Sequence, residues 1–299
     1  MKRPATPPAG TLLFGNDSPY AAAVFRELVQ RGVALAAVVV DGAHHARPIV
    51  AVSAHGQRET LPSLATSQGL PLRGAPDVAD PELARWAAAL APDFILVTCF
   101  EQRLPQALCA VPRHAALNLH PSLLPRYRGP TPLFWQLRHG EPAIGVTLHQ
   151  LAREIDAGAI VAQVDCPLAD GLDGVAIDER LGRAGARLFA AAVERYRDGT
   201  VETRAQVAAE ASYHGPPAAE DFRVSSDWSA RRLFNFMRGT GRWGRPYPIT
   251  LDGREVLLHR ALGYAADATL ATPCQRVDDR LRFRCAPGVL EATLWGDGT

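Results

Sequence analysis

The sequence has few cysteines, no long apolar run and almost no net charge. Its five cysteines are odd in number and show no C-x-x-C spacing, which argues against a disulfide framework or a zinc site. With 47% apolar and 21% charged residues, the composition is typical of a globular protein, so neither disorder nor a membrane span is expected. The early apolar run Thr11–Phe14 is too short for the core of a secretion signal. We therefore expect a cytoplasmic protein with no metal and no membrane partner.

Two nucleotide-binding signatures are also missing. The turn after the first apolar run reads Gly15-Asn16-Asp17 rather than G-x-G-x-x-G, which disfavours a Rossmann-type NAD enzyme, and the absence of G-x-x-x-x-G-K-[ST] excludes a P-loop nucleotide hydrolase. A net charge of +1 gives no overall electrostatic footprint for nucleic acid, although it leaves room for a local basic patch. The histidines His44, His45 and His55 stand in a polar stretch without a carboxylate at ligand spacing, which favours a surface loop over a metal site.

Strand and helix patterns alternate through the first two thirds of the chain. Apolar runs predict buried strands, and apolar residues at three- and four-residue spacing predict helices. The predicted strands are 11–14, 35–40, 94–98, 116–120, 145–150 and 159–164, and the predicted helices are 19–31, 81–90, a short one after Pro105, and 175–197. Such alternation predicts a doubly wound α/β domain with a parallel, Rossmann-like sheet.

The composition changes between residues 199 and 222, where the chain turns polar and then rich in proline and alanine, as expected of a linker. Beyond it, an amphipathic helix at 228–238 and several short strands predict a small β-barrel. We therefore predict three segments. These are a catalytic domain over residues 1–205, a linker over 206–221 and a C-terminal OB-like domain over 222–299.

The most informative stretch runs from Leu117 to Gly129. Alternate residues of a strand share a face, so Asn118 and His120 present an amide and an imidazole to the same point. The following Pro121 favours extended geometry at His120, so the strand ends there, at the edge where α/β sheets bind ligands. For His120 alone, a buried structural histidine is an equal interpretation. The surrounding run and the later Asp156 favour a site for acyl chemistry.

The pattern Asn118-x-His120-x-Ser122-Leu123-Leu124-Pro125-x-Tyr127-Arg128-Gly129, followed by 145–149 and 156–161, resembles the folate-dependent formyltransferases. That family includes methionyl-tRNA formyltransferase and the nucleotide-sugar N-formyltransferases. The resemblance implies an enzyme that transfers the formyl group of 10-formyltetrahydrofolate to a primary amine without a metal. It also implies catalytic roles for Asn118, His120 and Asp156. The first two would stabilise an oxyanion, and the carboxylate would orient the imidazolium and assist proton transfer. By residue type alone, Asp156 could instead cap a turn.

Two loops would contact the folate according to the same resemblance. They contribute Gln102, Arg103 and Leu104 from the first loop, and Ala152, Arg153, Glu154 and Ile155 from the second. Either segment could also be an ordinary connecting loop. The neighbouring prolines and Gly129 suggest that Arg126, Tyr127 and Arg128 form a rigid turn that directs basic groups at an anionic part of the acceptor, in preference to a solvated loop.

Departures from the tRNA enzymes bear on the acceptor. The span 41–61 contains Arg47 and Arg58 but no lysine-rich run of the kind that reaches the tRNA acceptor stem, while 132–135, 145–149 and 156–163 most resemble the nucleotide-amino-sugar enzymes. Pro130 departs from them, since some place an arginine there. We predict a small-molecule amine as acceptor, such as a nucleotide-linked amino sugar. Initiator methionyl-tRNA is the alternative. Hydrolysis of 10-formyltetrahydrofolate and a non-catalytic binding role remain open.

Overall fold

The computed structural model describes residues 10–42 and 59–296 and divides into two compact units. The first contains residues up to 130, 144–166 and 178–213, and the second contains 131–143, 167–177 and the chain from 214 onward. The histidines and arginines discussed between residues 43 and 58 (His44, His45, Arg47, His55 and Arg58) lie outside the described residues. In the part of the chain that is described, no helix has the length and apolar character to cross a membrane.

The helices are numbered along the chain. They are α1 (Pro19–Gln30), α2 (Leu61–Ser67), α3 (Pro81–Ala89), α4 (Gln106–Cys109), α5 (Pro132–His139), α6 (Gly174–Arg197) and α7 (Ala230–Thr240). The strands of the first unit are β1 (Thr11–Gly15), β2 (Leu35–Asp41), β3 (Leu72–Ala75), β4 (Phe94–Thr98), β5 (Ala115–His120), β6 (Ala143–Gln150) and β7 (Ile160–Pro167). Those of the second are β8 (Tyr247–Leu251), β9 (Arg254–Ala265), β10 (Cys274–Val277), β11 (Arg280–Arg284) and β12 (Val289–Leu294).

The first unit is built on a sheet with the strand order β3-β2-β1-β4-β5-β6-β7. Strands β1 to β5 pair in parallel, in the order typical of doubly wound folds. The predicted parallel sheet is therefore confirmed for β1, β2, β4 and β5, whereas β6 runs antiparallel to β5. Because antiparallel neighbours pair residue against residue, this reversal sets side chains of β6 directly across from the end of β5.

Buried side chains alternate between the two faces of this sheet. On one face the strands pack against α3 and α4, with a core made of Leu12, Phe14, Val39, Leu83, Val97 and Leu108. On the other face, Phe94 lies with its ring centroid 5.6 Å from that of Phe189 in α6. Helices α1 and α6 approach closely, since a Cβ at Gly182 would lie 2.6 Å from the Tyr20 carbonyl oxygen. Helices cover both faces, as the alternating pattern predicts.

Helix starts follow local chemistry. Ser18 accepts a hydrogen bond from the amide of Ala21 at 3.2 Å, and Pro19 occupies the first turn of α1, as predicted. The sequence patterns predict none of α2, β3 and α5. Helix α5 begins with Pro132 after a proline-rich stretch that is typical of a turn, and it ends at Gly140, whose φ of 72° is left-handed.

The second unit contains an antiparallel sheet with the order β10-β11-β12-β9-β8, together with α5 and α7. Its core is aromatic. Phe134 of α5 lies 5.4 Å from Phe236 of α7 and 5.0 Å from Phe222, between ring centroids. The protein is thus a mixed α/β chain with a large parallel-rich sheet and a separate antiparallel sheet. The domain boundaries at 205 and 222 stay a prediction; residues 206–213 belong to the first unit.

Candidate active site

The candidate site lies in the first unit, where β5 and β6 pair. Asn118 and His120 stand at the carboxyl end of β5, and their direct partners on β6 are His149 and Thr147. The alternation rule therefore correctly places the amide and the imidazole on one face. It does not reveal the third polar side chain, because the antiparallel register alone sets His149 opposite Asn118.

His120 is fixed through one ring nitrogen. Its Nε2 lies 2.8 Å from the carbonyl oxygen of Tyr127. Because a carbonyl oxygen only accepts, Nε2 carries a proton, and Nδ1 is the nitrogen that can exchange one. Nδ1 lies 3.6 Å from Oδ2 of Asp156, which is too long for a hydrogen bond but close enough for charge attraction. The His120 side chain is 5% exposed.

Asp156 stands in a turn with a left-handed φ of 55°. Its Oδ2 accepts a hydrogen bond from the amide of Gly129 at 2.8 Å, and its Oδ1 lies 3.5 Å from Nδ2 of Asn118. Oδ1 is also 3.7 Å from Nε2 of His149. One carboxylate, itself 10% exposed, therefore faces the amide and both imidazoles. The three predicted catalytic residues are brought together.

The turn between β5 and Gly129 is fixed by buried hydroxyls. Ser122 donates to the carbonyl of Arg126 at 2.8 Å, and Thr147 donates to the carbonyl of Ser122 at 2.7 Å. Thr147 also accepts from the amide of Leu124 at 3.1 Å. These bonds explain why Ser122 accompanies the histidine in the motif: the hydroxyls of Ser122 and Thr147 set the path of the backbone that returns Tyr127 to His120.

Gln206 is a contributor that sequence reasoning missed. Its Nε2 donates to the carbonyls of Asp156 and Gly158 at 2.7 and 2.8 Å. Its Oε1 accepts from Arg128, at 2.7 Å from Nη2 and 3.1 Å from Nε. One side chain thus ties the Asp156 turn to the Tyr127 turn. Gln206 stands in the predicted linker, and no motif or periodicity marks it.

The Asp156 turn also depends on a glycine. A Cβ at Gly158 would lie 1.8 Å from the carbonyl oxygen of Gln150, so only glycine permits this approach of the turn to β6. The Asp-Ala-Gly run is therefore explained in part by packing, and the glycine was the available signal for a tight turn.

The three residues of the turn 126–128, which is predicted to contact an anion, make different contacts. Tyr127 is 5% exposed, its amide donates to Ser212 at 2.8 Å and its carbonyl holds His120. Arg128 directs its guanidinium at Gln206. Arg126 is exposed, with its guanidinium carbon 5.2 Å from the ring centroid of Tyr127. Of the three, Arg126 is the exposed cation.

Gln102, in the first predicted folate loop, has an internal role. Its Nε2 donates to Asp41 Oδ1 at 3.1 Å and to the carbonyl of Ala75 at 2.8 Å, and its Oε1 accepts from the amide of Val78 at 3.1 Å. The side-chain amide therefore joins the loop after β4 to the ends of β2 and β3. A contact between Gln102 and a ligand would have to use its backbone.

The remaining predicted folate residues differ in exposure. Leu104 is 7% exposed and packs in the core beside α3 and α4, whereas Arg103 is exposed. Residues 152–155 are all exposed, and Ile155 retains 52% of its accessible surface. The second loop thus presents the charged side chains of Arg153 and Glu154 beside the apolar Ile155, while the first presents Arg103.

His149 is the other residue that sequence reasoning missed. It is 1% exposed, its Nδ1 lies 2.8 Å from the carbonyl of Gln150 and its Nε2 lies 3.1 Å from Nδ2 of Asn118. Burial, and after it the neighbouring His120, together lower the pKa of His149 to about 4, while Asp156 acts in the opposite direction. His149 is therefore a neutral imidazole near pH 7.

The arrangement suits one kind of chemistry. An amide donor, an imidazole with one exchangeable nitrogen and a carboxylate meet at the carboxyl edge of a doubly wound sheet, and these are the groups that acyl transfer uses. No cluster of three or more potential ligands for a metal ion occurs in residues 10–42 or 59–296. The fold and the site together define an α/β enzyme that acts on an acyl group.

The chain belongs to the formyl transferase family, since the model of that family matches residues 13–193. A methionyl-tRNA formyltransferase from Citrifermentans bemidjiense is 31% identical over 288 residues, which cover 93% of this chain and 86% of the relative. A methionyl-tRNA formyltransferase from Geobacter metallireducens is 29% identical over 272 residues, covering 90% of this chain and 83% of the relative. The predicted family is therefore confirmed.

The fold is shared with a solved N-formyltransferase from Helicobacter canadensis, in complex with folinic acid and dTDP-3-aminofucose. The match covers 95% of this chain and 98% of that one, with a TM-score of 0.67 and 14% sequence identity. At that identity the likeness concerns the fold alone.

Proposed function

We propose that the protein transfers the formyl group of 10-formyltetrahydrofolate to a primary amine of a small molecule. The observation that carries this proposal is that the side chains of Asn118 and His120 both lie beside the carboxylate of Asp156, in a chain of the formyl transferase family. When bound, the folate supplies the formyl carbon as the electrophile. We propose that the protein is cytoplasmic and that its site uses no metal.

The loops suit a flat donor ring. Gln102 stiffens the first loop from within, and the exposed segment 152–155 offers backbone polar groups beside the apolar side chain of Ile155. Recognition through backbone groups leaves little trace in side-chain identity. This is why we assign donor binding to the loops as units, with Arg103 as the exposed cation of the first.

Charge and proton movements follow from the geometry of the three residues. As an amine attacks the formyl carbon, negative charge develops on the formyl oxygen, and the amide of Asn118 is placed to donate to it. Nε2 of His120 is already committed to Tyr127, so the proton taken from the amine passes through Nδ1. Protonated His120 then lies 3.6 Å from the carboxylate of Asp156, which stabilises its charge. As the bond between the formyl carbon and the folate nitrogen breaks, Nδ1 of His120 gives this proton to the departing nitrogen, so the products are the formamide and tetrahydrofolate.

A small acceptor is favoured by charge and by the motif. The net charge of +1 and the lack of a lysine-rich run between 41 and 61 give little electrostatic basis for binding a polyanion. The exposed Arg126 offers one cation for an anionic group such as a phosphate, and the half-buried guanidinium of Arg128 supports the turn that carries it.

Initiator methionyl-tRNA is the second candidate acceptor. The observation that favours it is the name of the curated relatives, which are methionyl-tRNA formyltransferases and which the chain matches over most of its length. A tRNA acceptor would require a further basic surface. We also propose that the second unit is an OB-like barrel. Its five antiparallel strands support this proposal.

The test is a panel of acceptors. The protein is incubated with 10-formyltetrahydrofolate and nucleotide-linked amino sugars, other small amines, or initiator methionyl-tRNA. Release of tetrahydrofolate and the mass of the acceptor are followed together. We expect one formyl group to appear on a small amine. Robust formylation of the tRNA without transfer to any small amine would replace our first choice with the second.

A further inference from the structure

His149 has no role in the chemistry described so far, yet it is among the most buried polar side chains of the first unit. It lies 1% exposed between Asn118 and its own neighbour Gln150. A buried polar ring is costly unless its nitrogens are satisfied, and both are. The partners of those nitrogens determine what the ring can do.

The tautomer of His149 follows from its hydrogen bonds. Nδ1 lies 2.8 Å from the carbonyl oxygen of Gln150, which can only accept, so Nδ1 carries the proton. In the neutral ring Nε2 then has a lone pair and accepts. The charged and titratable groups that act on it are His120, Asp156 and Arg128.

That lone pair selects one orientation of the Asn118 amide. Nδ2 of Asn118 lies 3.1 Å from Nε2 of His149 and 3.5 Å from Oδ1 of Asp156. If the amide were rotated by half a turn, its oxygen would face both the lone pair and the carboxylate, and three acceptors would meet. One amide hydrogen is therefore committed to His149. The other approaches Asp156 only at the limit of hydrogen bonding and can serve an oxyanion.

We infer that His149 is a positioning residue, which holds the side-chain amide of Asn118 with its nitrogen towards the reaction centre. This inference rests on the proposed function, because it assumes that Asn118 donates to the formyl oxygen. It assigns His149 no contact with substrate. Its effect on rate should therefore pass entirely through Asn118.

Two substitutions separate the two nitrogens of the ring. In His149→Gln, the side-chain oxygen can replace Nε2 as the acceptor for Asn118. In His149→Asn, the shorter side chain can replace only the Nδ1 donor towards Gln150. We expect kcat to stay within about threefold of wild type for H149Q and to fall about tenfold to 100-fold for H149N, as for a displaced catalytic group, with KM for both substrates little changed.

A double-mutant cycle tests the route of the effect. If His149 acts only through Asn118, then H149N should cause no further loss of kcat in an Asn118→Ala background. Equal loss in both backgrounds would overturn the inference, as would equal activity of H149Q and H149N.

NMR tests the inference without measuring turnover, so its result is decisive even if the proposed function is wrong or one variant is inactive for another reason. With nitrogen-15 labelling, the Nε2 signal of His149 should be that of a neutral acceptor at about pH 7, and the two Asn118 amide protons should be distinct and slowly exchanging. In H149N, both protons should exchange with solvent as fast as those of a solvent-exposed asparagine side chain. If wild type transfers no formyl group, the proposed function fails while the NMR result still decides the positioning. A protonated Nε2, or an unchanged Asn118 amide in H149N, would refute it.

Discussion

Lowering the pH should destabilise the fold through His149. In the folded chain its pKa is about 4, because the ring is buried beside His120, whereas the reference value is 6.5. Between about pH 6.5 and 4, His149 therefore binds a proton in the unfolded chain but not in the folded chain. Folding stability is fully present above 6.5 and falls as the pH falls through this interval.

The size of the effect follows from linkage. One proton that binds the unfolded chain but not the folded chain lowers the free energy of unfolding by about 1.4 kcal/mol for each pH unit. Acidification from pH 6.5 to 5 should therefore lower that free energy by about 2 kcal/mol. Burial also lowers the pKa of His139 and His214, so both contribute in the same window. Glu27, whose pKa is lowered by its hydrogen bond to Arg187, loses its contribution only as the pH falls below about 4.5.

The assay is urea unfolding of wild type and His149→Gln at pH 7 and pH 5, followed by tryptophan fluorescence and by circular dichroism. Taking the difference between the two proteins removes the contributions of His139 and His214. Wild type should lose about 2 kcal/mol more than the variant. If both proteins lose the same amount, His149 is not held neutral by the fold, and the reasoning on its tautomer fails with it.

The remaining predictions concern activity and the acceptor. His120→Ala should abolish transfer but leave most of the affinity for tetrahydrofolate, measured by equilibrium binding, since we assign donor binding to the loops. Asp156→Asn should lower kcat more than it raises KM and should shift or flatten the pH–rate profile, because the carboxylate tunes the proton exchange of His120. Gln206→Ala should lower kcat by about tenfold or more by releasing the Asp156 turn, as steady-state kinetics will show. Association with tRNA should be weak and unspecific in filter binding across a salt series, because the chain carries little net positive charge.

Each of these has a contrary outcome. Undiminished transfer in His120→Ala would remove the mechanism. A loss of less than about tenfold in Asp156→Asn, with an unchanged pH profile, would leave Asp156 as a turn cap only. Val207→Ala is the matched control for Gln206→Ala, because Val207 is the next residue and is 54% exposed. Equal loss in both variants would argue against a specific role of Gln206. Tight tRNA binding that weakens steeply with salt would favour the second acceptor.

The sequence predicts the frame of the site because the signals involved are local. Asn118 and His120 share a face by strand alternation, and Pro121 marks the strand end at His120. Ser18 and Pro19 mark the start of α1 in the same way. The partnership with Asp156 comes from the resemblance to a family, since nothing in the spacing of single residues brings a distant turn to a strand end.

The contributions of His149 and Gln206 arise from pairing that the sequence does not encode locally. His149 reaches Asn118 because β6 runs antiparallel, while the alternation of strands and helices predicts a parallel neighbour. Gln206 reaches Asp156 from a polar, proline-flanked segment with the composition of a linker. Arg128 illustrates the reverse case. A basic residue in a rigid turn suggests a ligand contact, yet its guanidinium binds the side chain of Gln206.

The most direct test of the central claim follows the fate of the formyl carbon. The enzyme receives 10-formyltetrahydrofolate labelled with carbon-13 in the formyl group, together with a nucleotide-linked amino sugar, and the label is observed by NMR. We predict that the label appears as a formamide on the acceptor, in equal amount to the tetrahydrofolate released, and that His120→Ala prevents its appearance. Label recovered as formate, with the amino sugar unchanged, would contradict amine transfer and indicate a hydrolase.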